Sequence, residues 1–593
     1  MALTRDQVPE RLKWRTEDIC ATMDEWESIY KDIEESIDFS EFEGKLGDED
    51  KLFECLEKIN GINVKLSKIG IYAFLKHDED TRNADHVALT SRVDSLEMKY
   101  AQNTSFIDPE MTSLPAEYLE RLSVSERFKD YDYSLRTIMK RKPHILSKEM
   151  EELLSMSSKV MSSPGNTFTM LNNADFPFPE LLIKGKKEKI THGQYGVLLR
   201  SPDRNVRKRV FKAYYKGYMD HINTITSTYS GKVEVDVFSA KARKYSSCLE
   251  KAMASEDVDE RVYTNLLESV NESLHLLHRY MAVKKKTLGY RELHMYDMYT
   301  ALVEDAELEL EYDDAYELVA KAMAPLGEEY VSVLKKAHDD RWIDVVETEG
   351  KRSGAYNIGS AGMPHPFVLL NYNKTTDSIF TIAHEMGHAL HSYYSEKHQP
   401  VEKASYRIFV AEVASTVNEI LLLKYLLDTS DDAKMRKYLL SYYMDMIKGT
   451  LFRQTQFAEF EYIAHDMAEK GIPLTKDSLN KAYFELNEKY YGPSVVSDPE
   501  IAYEWARIPH FYRNFYVYKY STGITAAACI AERIYNGEEG MVDKYLKFLS
   551  SGGSDNPVEL LKIADVDLTK KEAFKTCMDS FENALNEFES IKV

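Results

Sequence analysis

Cysteine is scarce in this chain. Five occur in 593 residues, at Cys20, Cys55, Cys248, Cys529 and Cys577. An odd number, widely spaced and without a CxxC pair, argues against a disulfide framework and against a cysteine-held metal, and points to reduced thiols. Glycine (25) and proline (17) are too few for a fibrous or low-complexity chain. Long apolar runs are missing too. Ile420-Leu421-Leu422-Leu423 is among the longest, far short of the roughly 20 residues that span a bilayer. The opening MALTRDQVPERLKWRTEDI has no apolar stretch of the kind a secretory signal needs, so the expected compartment is the cytoplasm. Positive charge is outweighed: 76 Lys and Arg against 98 Asp and Glu leave −22. Such a surface repels phosphate backbones and anionic membranes, which removes nucleic acid and membrane from the expected partners.

What the chain does contain is helical periodicity and enough apolar residues, 44%, for a large core. Apolar residues recur three and four apart at Trp26, Ile29 and Ile33, at Leu52, Leu56 and Ile59, and at Leu89, Val93 and Leu96. Around 164–195 the texture changes to Ser163-Pro164-Gly165, Phe176-Pro177-Phe178-Pro179 and the basic cluster Lys184 to Lys189. This predicts loops and short strands at a domain boundary, dividing the chain into 1–195 and 196–593. The acidic run Glu304 to Asp314 is read as a solvated helix face. Pro366 to Tyr372 is a compact apolar run bounded by breakers, which predicts a strand, with Pro366 suiting a sheet edge. Helices are predicted from Thr376 or Asp377, from Ser405 to Leu427, and from Ala433 to Gly471. The fold class is therefore mainly α, with a small β-sheet next to the helix that begins near 376.

That helix carries His384-Glu385-Met386-Gly387-His388. Histidines at i and i+4 leave one face of a helix one turn apart, so both imidazoles can reach one ion. Zinc suits imidazole, and a catalytic zinc takes three protein ligands and leaves a position open for water. Glu385, one residue along, is placed to accept that water's proton. The third ligand is expected to be Glu412, 24 residues after His388. It is the only acidic residue between Glu402 and Glu419, set among Val410, Ala411, Val413 and Ala414, where a carboxylate needs a partner. Glu419 is the fallback. His391 lies about 10 Å along the helix axis from His384 and is read as a packing histidine. His365, His398 and His465 lack partner spacing.

The chemistry that follows is hydrolysis of a carbonyl compound, and the oxyanion it forms needs a neutral donor. His510, Tyr512, Tyr516, Tyr518 and Tyr520, in one short stretch, are the candidates. The strand at 366–372 is expected to offer its edge to an extended peptide, with Phe367 and Leu369 as contacts.

The residues resemble the M3 family of zinc metallopeptidases, in its oligoendopeptidase F branch. The resemblance rests on KWRTEDI, PHPFVLLNYN, FTIAHEMGHALHSYY, FVAEVASTVNEILL, LFRQTQFAEFE and RIPHFYRNFYVYKYSTG, in that order along nearly the whole chain. It implies a two-lobed helical shell around a deep substrate channel, one zinc ion per chain, and cleavage of short unstructured peptides at internal bonds. It implies His384, His388 and Glu412 as ligands, Glu385 as catalytic base and His510 as the C-terminal catalytic histidine. Its transition-state tyrosine falls on Tyr518, with Tyr516 and Tyr520 as the alternatives, all three near bound peptide. Ser378 stands where the family often has a second acid after Asp377, which counts against a metal-site role for Asp377. Two other readings are a dicarboxypeptidase of related fold and a helical peptide-binding protein without catalysis.

Overall fold

A computed structural model describes residues 3–303 and 308–592. The described chain gathers into two compact units. The first takes Met1–Pro143, Glu307–Leu426 and Ala527–Val566, the second His144–Ala306, Leu427–Ala526 and Asp567–Val593. The expected division at 195/196 therefore does not separate compact bodies. Compactness follows the core and not the chain order, because the N-terminal helices pack against later segments. They share a core with Phe367 and Leu369, far along the chain.

In the first unit, α1 (Met23–Ser36), α2 (Glu49–Glu79) and α3 (Ala84–Thr104) follow the predicted stripes. Trp26, Ile33, Leu52 and Leu96 are completely buried, each such side chain contributing roughly 1.5–3 kcal/mol. Asp48 and Asn83 cap α2 and α3 by accepting backbone N–H groups of the first turn. Phe367 and Leu369 join this same core.

A three-stranded sheet follows, β1 (Ile343–Asp344), β2 (Tyr356–Ile358) and β3 (Phe367–Leu369), in the order β1-β3-β2. β3 pairs parallel with β1 and antiparallel with β2. The predicted strand is thus real but central, not an edge. Pro366 sits just before the paired residues, where its missing N–H costs no ladder bond.

Three helices of this unit matter below: α4 (Glu328–Asp339), α5 (Thr376–His398) and α6 (Ile408–Thr429). Thr375 caps α5, its side chain accepting from Ser378 N–H. In the second unit the predicted long helix appears as α7 (Ala433–Ile447) and α8 (Arg453–Glu469), joined by a π turn at Lys448–Phe452. Gly471, at φ 74°, follows it in the left-handed conformation that ends helices. A helix from Tyr518 to Tyr535, α9, opens the last long helical stretch. The second unit also holds an antiparallel hairpin, Glu180–Ile183 with Lys186–Lys189, where the sequence predicted short strands. Of the acidic run, Glu304 to Glu307 lies outside the described residues, while Asp313 and Asp314 are exposed on a helix. All five cysteines are buried, and no disulfide joins any of them. Among the described residues no helix is long and apolar enough to cross a membrane.

Candidate metal centre

α5 presents His384 and His388 on one face, and α6 brings Glu412 against them. Their Nε2 atoms are 3.2 Å apart, and each is 3.5 Å from Glu412 Oε2. Ligands held about 2.0–2.1 Å from a tetrahedral ion stand roughly 3.3–3.4 Å from one another. The observed triangle has these dimensions, so two imidazoles and a carboxylate here fit a zinc ion. Among the described residues these three form the group of His, Cys, Asp or Glu side chains able to hold a metal.

Two features bring the helices this close. Gly387 is the first. A β-carbon there would lie 2.6 Å from both Ala414 O and Ser415 Cα, so the two backbones touch at this glycine. Asn418 is the second. Completely buried, it donates to Ala383 O on α5 and accepts from Tyr330 OH on α4. Ser415 Oγ adds a hydrogen bond to Glu412 Oε2 at 3.1 Å.

Glu419 stands outside the triangle, behind His384. His384 Nδ1 donates to Glu419 Oε1 at 2.6 Å. That bond holds a proton on Nδ1, so that when the second ring proton leaves, it is the Nε2 lone pair that faces the triangle. Seven residues separate Glu412 from Glu419, two turns of α6, so one helix face supplies both the ligand and the carboxylate behind the other ligand. That spacing was visible in the sequence; the division of labour was not.

Without metal, burial opposes a charged His384 ring. Glu419, with Glu385 and Glu412, outweighs it and raises the imidazole to about 9. Burial likewise pushes Glu412 up, but the two histidines and Ser415 prevail and bring it down to about 2. Glu385 is buried, and that burial raises its carboxyl despite both histidines. Val410, Val413 and Ala414 are buried as expected, yet the Glu412 side chain keeps 37% of its surface, leaving this side of the cluster open to solvent.

The other histidines are accounted for by packing. His391 stacks on Tyr406 at 3.7 Å, and burial depresses it to about 3. His365 stacks on Trp342, His398 bonds Tyr394 O, and His465 lies against Asp236. Asp377 is exposed in the first turn of α5.

Two expectations change. Phe367 and Leu369 are completely buried on the central strand, so neither offers an edge or a side chain to a peptide. The edges are β1 and β2; among the described residues β2 pairs only with β3, and Asn357 on it donates to Ser392 of α5. A cavity of about 810 Å³ in the first unit takes in Ile358 and Ser360 at the end of β2, along with Glu97 and Glu402.

In the second unit, His510, Tyr516 and Tyr520 form one ring cluster. His510 is stacked on Tyr516 at 5.9 Å and edge-on to Tyr520 at 6.0 Å, with Tyr516 and Tyr520 5.6 Å apart. All three keep partial exposure. Burial and the nearby Arg513 lower His510, keeping the ring neutral. Tyr518, the residue picked out by the resemblance, faces the other way. It is 1% exposed and packs on Tyr263 at 5.2 Å. A hydroxyl so enclosed cannot meet a substrate without rearrangement, which leaves Tyr516 and Tyr520 ahead of it.

The model of peptidase family M3 matches residues 197–580, and that of oligopeptidase F residues 110–178. Oligopeptidase PepF of Bacillus subtilis (strain 168) is 42% identical over 591 residues, 99% of this chain and 88% of that protein. An oligoendopeptidase F homolog of Lactococcus lactis subsp. lactis (strain IL1403) is 39% identical over 598 residues, 100% of this chain and 99% of its own length. The crystal structure of oligoendopeptidase-F from Enterococcus faecium superposes with a TM-score of 0.73 at 37% identity, covering 96% of this chain and 99% of that one. A solved structure from Chlamydophila abortus does so at 0.95 and 33% identity over the whole of both chains. With a family match that runs through the histidine pair on α5 and full-length relatives on either side of 40% identity, this chain belongs to peptidase family M3.

Proposed function

We propose that this chain is a cytoplasmic, zinc-dependent oligoendopeptidase that cuts short unstructured peptides at internal bonds. The observation that carries the reading is the triangle of His384, His388 and Glu412 ligand atoms, with Glu385 buried beside it. Zinc held there supplies a Lewis acid and lowers the pKa of a coordinated water.

The protein's own residues do the rest. Glu385 accepts a proton as the water oxygen attacks the scissile carbonyl carbon. It returns that proton to the amide nitrogen as the C–N bond breaks, and the second water proton follows to the released amine, so the products leave as a carboxylate and an ammonium. The carbonyl oxygen gains negative charge on the way, and His510, Tyr516 and Tyr520 are the proposed donors to it. Neutral donors suit this task because they add no charge to the resting site. The outer edge of β2 is the proposed place for main-chain hydrogen bonds to an extended substrate, a pairing that a folded domain cannot make. The acidic surface fits this class of partner and disfavours nucleic acid and anionic lipid.

Mass spectrometry of a mixed peptide library tests the reading. Cleavage at internal bonds of short peptides, abolished by a chelator and restored by zinc, is expected. Stepwise release of C-terminal dipeptides would mark a dicarboxypeptidase instead, and binding without cleavage a peptide-binding protein.

A further inference from the structure

We propose that Glu461 is a positioning residue for the reaction: from α8 it holds the backbone turn at Phe515 that sets Tyr516 in the ring cluster with His510 and Tyr520. The proposal rests on the reading that this cluster serves the reaction.

Glu461 ends the block LFRQTQFAEFE, which the metal chemistry leaves without a role. It is completely buried, and its Oε1 accepts the Phe515 N–H at 2.7 Å. Phe515 has φ 46°. A residue with a β-carbon enters this left-handed region only when its surroundings hold it there, and an aromatic one does so rarely. The surroundings are specific. The Phe515 ring meets Tyr263 edge-on at 5.5 Å and lies 4.7 Å from His465. His465 in turn bonds the backbone oxygen of Glu461 through Nδ1 and faces Asp236 through Nε2. The turn splits neighbours between core and surface: Phe515 is buried, while Tyr516 keeps partial exposure against His510 and Tyr520.

The anchor is built to be neutral. Burial raises the Glu461 carboxyl well above the usual carboxylate range. Its second oxygen has no hydrogen-bond partner among the described residues, as suits an acid that is not ionised. A neutral anchor fixes the turn without placing a charge near the donors. An amide can do the same job, and a thioether of similar size cannot.

The zinc-loaded full chain, assayed with a short fluorogenic peptide, separates these cases. Glu461→Gln keeps the acceptor and should hold kcat within about twofold. Glu461→Met keeps the volume and removes the acceptor; kcat should fall about 10²-fold, the scale on which a misplaced group costs turnover, with KM and zinc content little changed. Wild-type kcat in Glu461→Met overturns the proposal. So does a Glu461→Met protein that does not fold or whose kcat loss vanishes once corrected for the folded fraction, since Glu461 then serves the fold alone, and so does one whose KM rises while kcat holds, since the loss is then in binding. Tyr516→Phe and Tyr520→Phe are measured alongside. If both keep wild-type kcat, the cluster is outside the reaction and the donor assignment fails with this proposal. If they lose kcat and Glu461→Met does not, only the positioning role fails.

Discussion

Gly387→Ala is the smallest change that should disable the metal centre without touching a ligand. Two effects of opposite sign act there. Replacing a mid-helix glycine by alanine normally stabilises by about 0.5–1 kcal/mol, because the unfolded chain loses freedom. Here the new methyl would stand 2.6 Å from Ala414 O and Ser415 Cα and 2.8 Å from Ala414 C. All three are backbone atoms of α6, which cannot swing away as a side chain could. Carbon atoms pack best at about 3.5–4.0 Å, so α6 must retreat by roughly 1 Å. Overpacking of this kind costs about 1–3 kcal/mol, so the steric term wins. Glu412 lies two residues before Ala414 and moves with it. Metal–ligand distances tolerate only about 0.2 Å, so the three-ligand geometry is lost. Zinc affinity measured by competition with a chelating dye should fall at least about 10–100-fold, with a lowered denaturation midpoint. Gly61→Ala, in the middle of α2 with nothing within 4 Å of its would-be β-carbon, is the control and should be neutral to stabilising. A Gly387→Ala protein that binds zinc and turns over peptide like the wild type would refute the close-approach argument.

Removing the carboxylate behind His384, Glu419→Ala, should weaken zinc binding by about 10–100-fold in the same dye competition; unchanged affinity means that Glu419 does not orient the ring. Tyr516→Phe or Tyr520→Phe should lower kcat by about 10²–10³-fold with KM little changed, and Tyr518→Phe should act mainly on stability; steady-state kinetics that single out Tyr518 would restore the assignment drawn from resemblance. Glu504 is buried, which alone would raise it, but Arg453 and Arg507 hold its carboxyl down to about 2. A depressed carboxylate stabilises the folded state above its unfolded pKa of 4.5 and loses that contribution as pH falls toward 2. On the order of 3 kcal/mol is at stake, so denaturant titrations of wild type between pH 6 and about pH 3 should show an acid limb that Glu504→Gln flattens.

The grouping of His384, His388 and Glu412 was legible because its signals are local. Two histidines one turn apart, and one acid within an apolar helix, need only the 3.6-residue period. Glu419 obeys the same period, but a carboxylate two turns from a ligand reads equally as a spare ligand. Its role as a hydrogen-bond acceptor depends on the angle between α5 and α6, which Gly387 permits. The position of β3 was not legible, since its partner β1 is two residues long and lies 24 positions upstream. The tyrosines were ambiguous for a related reason. Between His510 and Tyr520 the backbone passes through a 3₁₀ turn at Pro509–Tyr512 and the left-handed Phe515, so no single period decides which ring faces outward. The boundary at 195/196 followed composition, whereas compactness follows a core that joins Trp14 and Leu52 to Phe367.

The central claim is that Glu385 moves the proton and does not hold the metal. Turnover of a short peptide by Glu385→Gln, with zinc quantified on the same sample, tests it most directly. The amide keeps the shape and removes the basicity, so zinc should remain near one per chain while kcat falls about 10²–10⁴-fold. Full zinc occupancy with near-normal turnover would contradict the account.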